Sequence, residues 1–75
     1  MTNDYKETIF LNKVARNIAF VRRSKGFTQE KLAAEAGVDR VAIANLETQK
    51  RRPTVTTLYR LAEALEVDIT DFFTS

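Results

Sequence analysis

Cysteine and histidine are both absent from this 75-residue chain. Without thiols there is no disulfide framework, and without thiolate or imidazole there is no zinc site of the usual kind. The same gaps exclude Cys-His and Ser-His nucleophilic machinery. Glycine occurs twice and proline once, and no alternating apolar pattern of any length suggests a strand. Apolar runs are only a few residues long, so neither a transmembrane span nor a secretory core is expected, and the chain reads as cytoplasmic. The carboxylates that remain, among them Glu30, Glu35, Glu47 and Glu63, are scattered at helical surface spacings beside Lys or Arg. That pattern reads as solvated surface, so no enzymatic activity, cofactor, metal or small-molecule ligand is expected.

What is present is charge of unequal distribution. The net charge is only +2, but residues 1–53 hold 11 Lys and Arg against 6 Asp and Glu, whereas residues 54–75 hold 1 against 4. A basic body with an acidic end suggests one face turned toward a polyanion and another turned away. The length allows one domain, residues 1–75, whose modest core must be supported by good helix packing or by a partner subunit.

Five helical segments can be separated, which makes the fold class all-α, a compact five-helix bundle. Phe10, Leu11, Val14, Ile18 and Val21 form the inward stripe of the first. Gly26 ends it, being free to take positive φ. Thr28 is placed to cap a second helix over about residues 29–36, with Leu32, Ala33 and Ala36 inward, and Gly37 stops it. Asp39 is expected to cap the third helix, in which Ile43 and Leu46 point inward. Pro53 and Thr54 open the fourth, with Val55, Leu58, Leu61, Ala62 and Leu65 as its stripe. Asp68, followed three residues later by Asp71, opens a last turn or two carrying Phe72 and Phe73.

The second and third helices have the spacing of a helix-turn-helix over residues 28–47. Ala33 lies where their axes cross, and a larger side chain would hold them apart. With Ile43 and Leu46 inward, Val41, Ala44, Asn45 and Thr48 face outward, and Arg40 stands near the helix start. Asn45 can pair bidentately with adenine and Arg40 with guanine or a phosphate, while Val41 and Ala44 can pack on thymine methyl groups. Lys50, Arg51 and Arg52 follow at once, and would lie along the sugar-phosphate backbone, giving affinity rather than sequence preference. Thr28, Gln29 and Thr48 complete the candidate phosphate contacts, Gln29 through its amide and its backbone N–H.

Over about residues 14–73 the sequence resembles the XRE type of helix-turn-helix regulator, relatives of the lambda Cro and cI repressors. The resemblance rests on Arg22-Arg23-Ser24-Lys25-Gly26-Phe27-Thr28-Gln29-Glu30-Lys31-Leu32-Ala33, then Ala36-Gly37-Val38, Ile43, Leu46-Glu47, Pro53-Thr54 and the closing LYRLAEALEVDITDFF. It implies a lambda-repressor-like DNA-binding domain that acts as a homodimer on double-stranded DNA at a near-palindromic operator. It also implies a structural salt bridge between Arg22 and Glu47. Phage-type repressor, restriction-modification controller and antitoxin are all roles within such a family, and the last would use the fourth and fifth helices to engage a protein partner.

Two positions depart from the family pattern. Gln49 stands where relatives commonly have glycine, so the third helix either runs on or closes through a strained residue. Ala44 replaces a frequent hydroxyl residue, which leaves direct readout chiefly to Arg40 and Asn45. Leu65, Ile69, Phe72 and Phe73 are the expected dimer interface, with one of the two phenylalanines exposed for that purpose. Residues 1–9 extend beyond the usual family start. Of these, residues 1–4 are expected to be loose and the remainder to pack.

Overall fold

A computed structural model describes residues 4–74. Four α-helices are formed, α1 (Asp4–Ser24), α2 (Gln29–Ala36), α3 (Arg40–Glu47) and α4 (Val55–Leu65), followed by a 3-10 turn at Ile69–Phe72. The all-α class holds. The fifth helix is the one difference, being a single 3-10 turn. Asp68 accounts for it, since its carboxylate accepts from both the backbone N–H and the hydroxyl of Thr70 and tightens the chain over two residues.

α1 begins at Asp4 and is 21 residues long, so residues 4–9 continue the first helix rather than forming a separate arm. Asp4, expected loose, is helical, while residues 1–3 lie outside the described part. Further along α1, Val14, Ile18 and Arg22 turn inward at helical spacing and meet Leu32, Ile43, Leu46, Leu61, Leu65 and Phe72. Burying each such aliphatic side chain is worth about 1.5–3 kcal/mol. α2 packs against both α3 and α4, and α1 spans the back of the domain, touching α3 and the 3-10 turn.

The expected caps divide into those that bond and one that does not. Thr28 Oγ1 accepts from Lys31 N at 3.0 Å, and Thr54 Oγ1 from Thr57 N at 3.1 Å. Asp39 occupies the corresponding position before α3, but its side chain makes no capping bond. α3 is therefore held at its start by other means, described below.

All four helices close with the same backbone device. Gly26, Gly37, Gln49 and Glu66 take positive φ of 77°, 72°, 64° and 59°. The next N–H then reaches back five residues, Phe27 to Arg22 O, Val38 to Ala33 O, Lys50 to Asn45 O and Val67 to Ala62 O. This is the Schellman closure, which satisfies carbonyls the helix end would leave bare. In three of the four, the residue after the left-handed one is apolar and packs on the core: Phe27, Val38 and Val67. After α3 it is Lys50, which is exposed. The same turn that buries a hydrophobe elsewhere here delivers a cation to the surface beside the third helix.

Two residues expected at a dimer interface are placed otherwise. Leu65 is 1% exposed and Phe72 is fully buried, both within the protomer's own core. Phe72 is the largest fully buried side chain, and its carbonyl accepts from Asn17 Nδ2 at 2.9 Å. Ile69 and Phe73 stay partly exposed at the edge of that core. Phe73 stacks on Phe10 with ring centroids 6.0 Å apart and planes 14° from parallel. Phe10 thus packs against the far end of the chain, whereas residues 5–9, expected to pack, lie exposed on the helix.

Candidate nucleic-acid interface

α3 owes its outward row to its inward one. Ile43 and Leu46 are buried at 0% and 4% exposure, and at 100° per residue this leaves the opposite side to Arg40, Val41, Ala44 and Asn45. Val41 is 55% exposed, a high value for a β-branched apolar residue with no neighbour to cover it. Arg40 is exposed, and Ala44 and Asn45 are half-buried. The row is thus accessible, small in the middle, and long and cationic at its N-terminal end.

The helix is fastened at both ends through one carboxylate. Arg22 Nε donates to Glu47 Oε2 at 2.7 Å and Arg22 Nη2 to Glu47 Oε1 at 3.0 Å, a bidentate pair whose side chains are 10% and 7% exposed. The third guanidinium nitrogen, Nη1, donates to Phe27 O at 2.9 Å. Glu47 Oε1 also accepts from Gln29 Nε2 at 3.0 Å, and Gln29 Oε1 in turn accepts from Arg40 Nη1 at 3.4 Å. A connected series therefore runs from α1 through the end of α3 and the start of α2 to the start of α3. Because each nitrogen and oxygen of the Arg22–Glu47 pair has a partner, the cost of burying its charges is offset. Among the described residues no buried side-chain nitrogen or oxygen lacks a partner.

This series redefines Gln29. Its side-chain amide, read in the sequence as free for a phosphate, is bonded on both atoms within the protein. What it retains at the start of α2 is its backbone N–H, unpaired within the helix as the first N–H groups of any helix are. Thr28 Oγ1 accepts from Lys31 N and keeps its own hydroxyl proton to donate outward. Thr48 does the reverse, since its hydroxyl donates to Ala44 O at 2.8 Å. With that proton spent inside the helix, Thr48 has no side-chain donor to offer a phosphate in this conformation.

The three cations after α3 separate as well. Lys50 and Arg51 both bring their N–H groups to Asn45 O, at 2.9 and 3.3 Å, which holds the loop close against the end of the reading row. Neither side chain is in an ion pair among the described residues. Arg52 points elsewhere, with Nη1 donating to Glu7 Oε2 at 2.6 Å. The Glu7–Arg52 contact joins residues 45 apart, and no local sequence pattern announces it. Gln49 takes the left-handed φ of the missing glycine, so α3 does not run on past its expected end.

Comparison with known proteins gives a consistent set of similarities. The profile of the helix-turn-helix family HTH_3 matches residues 18–72. An uncharacterized HTH-type transcriptional regulator, y4dJ of Sinorhizobium fredii, is 44% identical over 61 residues, covering 81% of this chain and 79% of its own length. Antitoxin HipB of Escherichia coli is 31% identical over 58 residues, or 77% of this chain and 66% of HipB. The restriction-modification controller protein C.AhdI of Aeromonas hydrophila superposes with a TM-score of 0.81 at 30% identity, covering 84% of this chain and 96% of the controller.

Proposed function

This chain belongs to the HTH_3 helix-turn-helix family of DNA-binding transcriptional regulators, and from that membership we propose that it is a sequence-specific regulator acting as a cytoplasmic homodimer on a near-palindromic operator. α3 enters the major groove. Asn45 pairs with an adenine edge, Arg40 leaves Gln29 for a guanine or a phosphate, and Val41 and Ala44 pack on thymine methyls. Lys50, Arg51, the Thr28 hydroxyl and the Gln29 N–H hold the backbone on either side of the groove. The proposal assigns the protein no catalysis and no cofactor or small-molecule ligand. Its output follows from occupancy of the site, which blocks or recruits polymerase.

One observation carries this reading. The accessible row from Arg40 to Asn45 stands on a helix whose C-terminal end is clamped by the buried Arg22–Glu47 pair, with cations delivered directly after it. Ile69 and Phe73, with Phe10 stacked on the latter, supply the partly exposed apolar edge for dimerisation. Of the circuits open to such a protein, restriction-modification control fits best, because nearly the whole of a controller superposes on 84% of this chain.

Antitoxin is the second reading, favoured by the likeness to HipB and by the acidic character of residues 54–75. Here the acidic end would engage a protein partner and DNA binding would be secondary. Footprinting on the DNA upstream of the protein's own gene, with a salt titration, tests the proposal. A protected two-fold site lost in Asn45→Ala supports it. Uniform, salt-driven coverage insensitive to Asn45→Ala would overturn it, and sedimentation as a monomer at tens of micromolar would remove the dimer.

A further inference from the structure

α1 carries two stripes, and the DNA-binding reading uses only one. The inward stripe is committed to the core and to Glu47. The second, Tyr5, Ile9, Lys13, Arg16, Phe20 and Arg23, advances by three or four residues at each step, the spacing that aligns side chains along one helix face. At 100° per residue it lies opposite Ile18. Tyr5, Ile9 and Phe20 on this stripe are 74%, 48% and 66% exposed. Scattered apolar residues on a surface are ordinary, but three in line over about four turns of one helix, interleaved with cations, mark an interaction seam.

Charge indicates what the seam would accept. Every ionisable side chain on it that is charged at neutral pH is a cation, and none of the three is in an ion pair among the described residues. The helix's own acids lie on other faces, and Glu7 is held by Arg52. The flanking residues, Lys6, Asn12 and Asn17, are polar, so the apolar strip is about one side chain wide. A helix that sinks into a bilayer surface needs a broad apolar face, whereas a narrow seam at three-and-four spacing matches a second helix laid alongside it.

We propose that the outward face of α1 docks an acidic amphipathic helix of another protein. Its apolar side chains would pack on Tyr5, Ile9 and Phe20, and its carboxylates would meet Lys13, Arg16 and Arg23. A second copy of α1 is the wrong occupant, because it would set Lys13 and Arg16 against the same cations. The duplex is also a poor occupant, since it offers phosphates to the cations but buries none of the apolar row. Docking here leaves the α3 row uncovered, so the partner could be carried to DNA.

The test uses the full chain and a fluorescein-labelled designed helix of 21 residues with Leu at the seam positions and Glu beside them. A Lys-for-Glu version and a scramble of the same composition are the comparators. Saturable anisotropy is expected with the acidic helix alone, weakened about tenfold or more by Phe20→Ser and by Arg16→Glu. Melting temperature and DNA affinity should be unchanged in both variants. Equal binding of the scramble, or indifference to both substitutions, would overturn the proposal. So would stronger binding to anionic phospholipid vesicles than to the peptide, or a loss of DNA affinity as large as the loss of peptide binding, which would give the face to a membrane or to the duplex.

Discussion

Arg52 reaches back across the fold to Glu7, so one of the three cations that follow the reading helix is neutralised by the first turn of α1. The pair is exposed, 73% and 46% at the two side chains, and while it holds, Arg52 is withheld from the phosphates. Glu7→Gln removes the competitor. The slope of log affinity against log salt should then steepen by about 0.9, the value for one further phosphate contact. Fluorescence anisotropy across a salt series reads this directly, and an unchanged slope would take Arg52 out of the phosphate-binding set.

Glu47 is the centre of the clamp, and its removal has a larger effect. Glu47→Ala leaves the Arg22 guanidinium buried with only the Phe27 carbonyl, and Gln29 without its acceptor. Breaking a buried pair in this way costs about 3–5 kcal/mol, a large part of the total of about 5–15 kcal/mol typical of a domain. Urea denaturation of Glu47→Ala should show a midpoint close to water. Glu47→Gln, which keeps one acceptor oxygen, should lie between the variant and the parent.

Gln49 and Gly37 occupy equivalent positions at the ends of adjacent helices, and substitutions there should act in opposite senses. At φ of 64° Gln49 bears the steric cost of the left-handed region, and Gln49→Gly should stabilise the domain by about 1 kcal/mol. That corresponds to a rise in Tm of about 4–8 °C for a domain of this size. Gly37→Ala should destabilise it by a similar amount, about 1 kcal/mol. No atom lies within 4 Å of the added Cβ, so that loss would be conformational, with no packing component. Calorimetry of the two variants settles both signs.

Asp68 gives the fold an acid-sensitive point. Hydrogen bonds from the Thr70 backbone and hydroxyl hold its carboxylate below the ordinary Asp value of 3.8. A carboxyl depressed in the folded state contributes stability that is present above its unfolded value and is lost as pH falls through the folded one. The 3-10 turn carrying Phe72 should therefore loosen only below the usual carboxylate range. Asp68→Asn should remove that step, as followed by thermal midpoints between about pH 5 and about pH 2.

Much of this architecture was legible in the sequence because it is locally encoded. Thr28, Gly37 and Thr54 stand at fixed offsets from apolar stripes, and the structure uses them as those offsets imply. The Arg22–Glu47 pairing came from a family resemblance, since the sequence separation of 25 residues carries no local signal. The bonds from Gln29 to Glu47 and from Arg52 to Glu7 were illegible for the same reason. Leu65 and Phe72 were misplaced because a stripe marks which residues turn inward but not how much volume the core will take. Asp39 shows the opposite limit, a residue of the right type at the right place whose side chain makes no capping bond.

The series from Arg22 through Glu47 and Gln29 to Arg40 passes behind the middle of α3 without touching Val41, Ala44 or Asn45. The three side chains proposed to meet bases therefore make none of the bonds in this series. Libraries randomised at those three positions should yield proteins with altered base preference and nearly parental folding, whereas any change at Gln29 or Glu47 would re-aim the whole element and scramble its recognition at every base pair together.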